Sequence, residues 1–453
     1  MTSLTAGPAA HAEMAEPNTG KTFSPSRVVE VELTDPLPRL EPSDQYGSAF
    51  VLARLHTEPI GVLTVGLGDK GVSPGELAAR LWGELSEPIA ERFAAAGLAA
   101  PAELTEAGIE AEPEAWPFLR NRSAALADAP SISVVLCTRD RADQLEKCLQ
   151  RLARLVYPRF EVLIVDNAPT SDAVQVIVES YAGAATKFRY CKEATPGLSW
   201  ARNAGVAATT SEIIAFVDDD DEPDESWLAG IADGFARSGS IGCVTGMILP
   251  ARLDTPAEGL FEELGGHIKG RGFTKDTFSK SGPQSPLFPL PPFGTGANMA
   301  FRRDVLERIG GFDVALGAGT PACAGEDTLS IALTMLEGYE VAYEPSALMW
   351  HHHRQDLSGL SRQLHGYSIG LTAFYAALLR RRPTAILGLL KLLPAAVGYL
   401  RNPSSASDSA PDPGAALDRR QREGMLAGPF RYITSVRMQR RASKIKPPAA
   451  GLR

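Results

Sequence analysis

Through the middle of the chain, short unbroken apolar runs alternate with stretches whose apolar residues recur at helical spacing. Residues 131–138, 160–167 and 213–217 are each brief, continuous and rich in β-branched or aromatic side chains, the pattern of strands buried on both faces. Between them, 142–155 places Leu145, Cys148, Leu149 and Leu152 on one helical face. Segments 174–181 and 198–208 read as further helices around a short strand at Phe188-Arg189-Tyr190. Strands alternating with helices predict an α/β fold: a mostly parallel, doubly wound sheet with helices on both faces, over 131–367.

The flanks read differently. Residues 1–26 offer too little apolar surface to offset chain entropy, which predicts disorder, and their lack of a continuous apolar core argues against a signal peptide. Residues 27–98 read as a small α/β accessory domain. Three strand patterns (28–33, 49–55 and 59–65) precede Ser73-Pro74-Gly75-Glu76, which has the spacing of a capping box opening a helix through Leu77, Leu81, Trp82 and Leu85. The Ala, Glu and Pro-rich 99–130 reads as a linker with short helix.

Beyond 367 the region 368–402 carries two apolar runs, 369–379 and 385–400, separated by Arg380-Arg381-Arg382-Pro383. Lys391 and Pro394 lie inside the second run and argue against a membrane span, which needs roughly 17–25 mostly apolar residues. Two readings remain: an amphipathic hairpin on a bilayer surface, or core helices packed on the central domain. The end, 403–453, reads as a Ser/Asp/Pro linker followed by a basic tail at 431–446.

Composition narrows the function. A chain of 453 residues with 44% hydrophobic content has room for two or three domains, and a net charge of −9 argues against a nucleic-acid partner. Five scattered cysteines without a C-x-x-C pair point to a reducing, cytoplasmic setting.

The candidate chemistry lies at the carboxyl ends of the strands, where open α/β sheets bind ligands. The 213–217 run ends in Asp218-Asp219-Asp220-Asp221-Glu222, and carboxylates this crowded suit a hard cation carrying phosphate, Mn2+ or Mg2+. The alternative is a solvated acidic turn. Thr138-Arg139-Asp140-Arg141 closes the first strand, Asp166-Asn167 the second, and Arg202 and Asn203 sit in the helix that begins at 198, where N–H groups favour anions. Taken singly, Thr138 is a strand-end hydroxyl, Asp166 a helix cap and Arg202 a surface charge. Together they outline a phosphate-plus-base pocket.

In order and spacing, this set resembles the family 2 glycosyltransferases of the GT-A fold. The resemblance runs from about 132 to 367 and includes the T-R-x-R strand end, V-D-N, G-L-S-x-A-R-N-x-G, F-V-D-D-D-D, Gly296-Ala297-Asn298, Gly310-Gly311-Phe312-Asp313 and Gly325-Glu326-Asp327. It implies a Rossmann-like domain that transfers a sugar, with inversion, from a nucleotide-diphosphate sugar to an acceptor hydroxyl. By the same resemblance Thr138 and Asp166 hold base and ribose, and Arg141, Arg202, Asn203, Asp218 and Asp219 complete the donor pocket. Asp218 and Asp220 bind Mn2+ or Mg2+ with His351, the first of His351-His352-His353. The base is in the pair Glu326-Asp327, with Asp327 preferred; both acids also suit the first turn of a helix, where they complement its dipole. The histidines equally suit a polar surface loop.

Such enzymes commonly build cell-surface polysaccharide or glycolipid, which implies a lipid-linked acceptor and a peripheral site on the inner membrane face. Two other functions fit parts of the pattern: a catalytically silent nucleotide-sugar-binding protein of the same fold, and a nucleotidyltransferase. The second would carry a Gly-rich loop after its first strand, where this chain has Thr138-Arg139-Asp140-Arg141.

Overall fold

The capping box at Ser73 does what its spacing predicts. In the computed structural model, which describes residues 23–182, 187–267, 271–282, 293–391 and 415–445, the Ser73 side chain accepts from the Glu76 amide and Glu76 reaches back to Ser73. Most of the predicted disordered N-terminus, the end of the second apolar run and the Ser/Asp/Pro linker fall outside those residues. Three strands, β1 (Ser26–Glu32), β2 (Ser48–Leu55) and β3 (Glu58–Gly66), form a sheet with β1 and β2 parallel and β3 antiparallel to β2. Helix α1 (Pro74–Ala96) lays Leu77, Leu81, Leu85, Ile89 and Phe93 on it and stops at Gly97, whose φ of 71° is a conformation that favours glycine.

The segment read as a linker supplies part of this core. Leu104, Ile109 and Trp116 are buried in the same cluster, and Trp116 packs edge-on against Phe93 at 4.8 Å. After it, α2 (Pro117–Ala127) faces the central unit, where Arg122 pairs with Asp233 at 2.9 Å. On the small sheet's other side, Leu52 meets Met247, Leu249, Leu348 and Trp350, and Arg54 bonds Asp224 at 2.7 Å. The accessory unit is thereby packed directly against the elements that carry the acidic cluster.

The central unit alternates as the hydrophobic pattern predicts: β4 (Ile132–Thr138), α3 (Ala142–Leu152), β5 (Phe160–Asn167), α4 (Ala173–Ala182), β6 (Phe188–Glu193), α5 (Leu198–Ala207), β7 (Ile213–Asp218), β8 (Asp221–Pro223) and α6 (Trp227–Ala236). Then follow β9 (Ile241–Pro250), α7 (Pro256–Glu263), β10 (Asp276–Phe278), β11 (Asn298–Arg302), α8 (Arg303–Arg308), α9 (Glu326–Leu336) and β12 (Glu340–His351). The strand order is β10-β12-β9-β11-β7-β4-β5-β6, with β8 paired to β12. Strands β4, β5, β6 and β7 are parallel, as are β9 and β12, whereas β11 runs antiparallel between β7 and β9. Alternate residues of one strand face opposite cores: Val134 and Leu136 join α3, α4 and α6, while Val135 and Cys137 join α5 and α9.

Two readings of the C-terminal region change. The first apolar run lies inside one long helix, α10 (Leu357–Arg381), so the expected boundary at 367 falls within an element. Ile369, Ala373, Phe374, Ala377 and Leu378 are buried, the last four in the cluster that holds Leu329 and Leu333, which is the core-helix alternative. The basic tail is also helical, as α11 (Ala415–Ile445), and packs along α10. Gly428 makes this contact feasible, because a Cβ there would run into the Ile369 carbonyl and the Thr372 side chain. Tyr432, 3% exposed, donates to Asp313 Oδ2 at 2.9 Å. Among the described residues, no helix is long and apolar enough to cross a membrane.

Candidate active site

Register brings the strand-end residues together. Thr138 on β4 stands opposite Asp166 on β5, and Cys137 opposite Asp218 on β7, so three adjacent parallel strands present their polar ends at one edge of the sheet. Thr138 Oγ1 donates to Asp219 Oδ2 at 2.6 Å. Arg141, at the start of α3, forks between Asp219 Oδ1 and Asp220 Oδ2, the latter at 3.1 Å, and Arg354 approaches Asp220 Oδ2 at 3.7 Å. Asp166 is fully buried; its Oδ2 accepts from the Tyr190 hydroxyl at 3.0 Å while Oδ1 has no partner.

The acidic run is not a solvated turn. Asp219, Asp220 and Asp221 are 4%, 8% and 1% exposed, held between the β7 and β8 backbone. Burial, then the Asp220 charge, pushes Asp219 up to about 7 against the pull of Arg141. Burial also raises Asp221, whereas Asp220 stays below the usual range because His351, Arg141 and Arg354 outweigh its own burial. His351 Nδ1 lies 2.8 Å from Asp221 Oδ1 and 3.8 Å from Asp220 Oδ1. Burial favours the neutral ring, but these carboxylates win and raise its pKa.

A second knot joins the end of β7 to the start of α9. Arg202, 2% exposed, bonds Glu326 Oε1 at 2.8 Å, Asp218 Oδ1 at 3.3 Å and the Gly296 carbonyl at 3.1 Å. This guanidinium is a buried strut rather than a surface charge. Burial, then neighbouring Asp327, pushes Glu326 up to about 7, and its Oε2 has no partner. Asp327 is half-buried, with Oδ2 accepting from the Gly296 amide at 2.7 Å and Oδ1 from the Thr328 amide at 2.7 Å. Both acids occupy the first turn of α9.

The fold commits Asn203 to backbone instead. Its amide donates to the Phe312 carbonyl and accepts from the Phe312 amide, both at 2.9 Å, fixing the turn after Gly311. Neighbouring Asn167 is used similarly, accepting from the Gly197 amide and donating to the Thr195 carbonyl, both at 2.8 Å. Sequence reasoning passed over Arg354 and Gly296 as site groups; Arg354 directly follows the histidine run, which was the available signal.

Residues 133–310 match the sequence model of glycosyl transferase family 2. A glucosyl-dolichyl phosphate glucuronosyltransferase of Haloferax volcanii is 23% identical over 230 residues, covering 49% of this chain and 68% of that protein. Glycosyltransferase AglE of the same organism is 30% identical over 102 residues, 22% of this chain and 33% of that one. Among solved structures, a mannosyltransferase from Pyrobaculum calidifontis in complex with GDP-Man and Mn2+ aligns with a TM-score of 0.42 at 18% identity, covering 73% of this chain and 83% of its own. With the sheet and its strand-end motifs in place, the matched segment is a glycosyltransferase segment: it belongs to glycosyl transferase family 2.

Proposed function

We propose that the chain transfers a glycosyl group from a nucleotide-diphosphate sugar to an acceptor hydroxyl, with inversion at the anomeric carbon. The observation that carries this reading is the Arg202 and Gly296 bridge, which brings the Asp218 carboxylate and the Glu326-Asp327 pair to one end of the sheet. Thr138 and Asp166 frame the base and ribose side. Arg141 and Arg354, each partly exposed, face the diphosphate side. Donor atoms of Asp220, Asp221 and His351 lie within 4.8 Å of one another and Asp221 Oδ2 is buried without a partner, a donor set that fits a hard cation. Asp220 and His351 of that set, with Asp218 from the preceding strand end, would hold Mn2+ or Mg2+, which would supply positive charge to the departing diphosphate.

Asp327 takes the proton from the attacking hydroxyl. It is preferred to Glu326 because Glu326 is 5% exposed and already paired with Arg202, whereas Asp327 is partly exposed and pairs with no cation among the described residues. Asp327→Asn should leave donor binding nearly intact and lower transfer by about 10²–10⁴-fold, the usual worth of general-base help. If Asp327→Asn and Glu326→Gln both keep most of their transfer activity, neither acid is the base.

A lipid-linked acceptor at the inner membrane face, in polysaccharide or glycolipid synthesis, extends this reading. Its support is the outer side of α11, where Leu426 and Phe430 are 70% and 73% exposed beside Arg431, while Leu387 and Leu390 are exposed nearby in sequence to α10. Apolar side chains among exposed arginines suit an anionic bilayer surface.

A further inference from the structure

Three histidines from separate parts of the fold meet behind the acidic cluster. His351 ends β12, His353 follows two residues later, and His267 lies just beyond α7; they are 7%, 5% and 6% exposed. One ring nitrogen from each lies within 4.8 Å of the others. Ring centroids are 4.8 Å apart for His267 and His351, 5.2 Å for His351 and His353, and 5.8 Å for His267 and His353.

We propose that His267, His351 and His353 form a nitrogen-donor site for a borderline divalent cation, Zn2+, Co2+ or Ni2+, adjoining the carboxylate site and sharing His351 with it. Two of the rings already carry the outer partners that metal-bound histidines use. His351 Nδ1 lies 2.8 Å from Asp221 Oδ1, and His353 Nε2 lies 2.8 Å from Glu262 Oε1. An ionised carboxylate only accepts, so in the neutral ring each of those nitrogens carries the proton and the opposite nitrogen offers a lone pair; on His351 a cation would displace any second proton from that nitrogen. On His353 that opposite atom, Nδ1, is buried and has no hydrogen-bond partner. A cation facing it supplies the missing partner.

The geometry requires modest closure. Tetrahedral zinc at about 2.0–2.1 Å from each nitrogen separates the nitrogens by about 3.3 Å, so the rings approach by about 1.5 Å at most from their present positions. Three imidazoles leave the fourth position to water. Imidazole selects zinc-like cations and carboxylate selects magnesium or manganese, so the two adjoining sites sort cations by chemistry. His351 serves one site at a time. With the histidine site filled, it keeps its proton on Nδ1 and bonds Asp221, leaving the donor-side cation to Asp218, Asp220 and diphosphate oxygens. The filled site would pin the end of β12 to the segment after α7.

The test is a Co2+ titration of the metal-stripped full chain, read by the visible absorption of nitrogen-bound cobalt and by competition with Zn2+. One equivalent of Co2+ should bind, be displaced by Zn2+, and remain bound in Asp220→Asn. His267→Ala and His353→Gln should each weaken binding by more than 100-fold, and Glu262→Gln by about 10–100-fold, the usual effect of losing an outer-shell partner. His267 lies beyond α7 and off the sheet, so His267→Ala decides the matter if His353→Gln fails to fold. The proposal is overturned if cobalt develops no such absorption, or if the signal vanishes in Asp220→Asn and survives in His267→Ala. The readout is independent of sugar transfer, so failure here leaves the transferase assignment standing.

Discussion

Replacing Arg202 by Met tests the strut at the centre of the site. The guanidinium, 2% exposed, lies between Glu326 at 2.8 Å and Asp218 at 3.3 Å, so its removal strands a buried carboxylate. Breaking a buried pair from one side typically costs about 3–5 kcal/mol. Glu326 can limit that cost by taking up a proton. Burial and Asp327 already push it up to about 7 with Arg202 present, against an ordinary Glu value of about 4.3. Since the folded value lies above the unfolded one, protonation favours the folded state; this benefit is complete below about pH 4 and is lost as pH rises through the folded value.

The Arg202→Met deficit should therefore be largest near about pH 8 and shrink toward about pH 6, where Glu326 is neutral. Urea unfolding at the two pH values measures it. Glu326→Gln in the Arg202→Met background should recover part of the loss, because the stranded charge is gone. A deficit under about 1 kcal/mol at the higher pH, or one independent of both pH and Glu326, would refute the strut.

Three further outcomes follow from the same contacts. Asp220→Asn should abolish Mn2+-dependent nucleotide-sugar affinity, measured by calorimetry, while the unliganded protein stays folded with a lowered melting temperature, because the ionised Asp220 is held by His351, Arg141 and Arg354. Gly428→Leu should release α11 from α10, because its side chain meets Ile369 and Thr372, and limited proteolysis should then cut within 415–445. Leu426→Ser with Phe430→Ser should reduce sedimentation with anionic vesicles at least tenfold, since burying one such side chain is worth about 1.5–3 kcal/mol. Unchanged vesicle binding would show that this face of α11 does not meet a bilayer.

What the sequence made legible was local. Strands buried on both faces must read as unbroken apolar runs, so β4, β5 and β7 were visible, and their polar ends fixed which residues share an edge. The Ser73 box was legible for the same reason, since every atom it uses lies within four residues. Partners distant in sequence were not. Arg202 reads as a cation near a helix start, and nothing local says that Glu326, 124 residues later, will bury it. Asn203 looks like a ligand until Phe312 takes both ends of its amide. His267 carries no pattern of its own; only folding places it beside His351 and His353. The C-terminal helix was hidden because its charge suggested a tail, while the close approach to α10 that Gly428 allows depends on residues more than fifty positions earlier.

If the β4, β5 and β7 strand ends hold a nucleotide-diphosphate sugar with a hard cation, a thermal-shift panel of such sugars, with and without Mn2+, on the parent protein and on Asp220→Asn will show it. A specific donor at 100 times its dissociation constant stabilises the fold by about 2.7 kcal/mol through mass action. One class of donor should raise the melting temperature only with Mn2+ and only when Asp220 is intact. A shift of equal size in Asp220→Asn, or none with any nucleotide sugar, would refute a cation-dependent donor site at these strand ends.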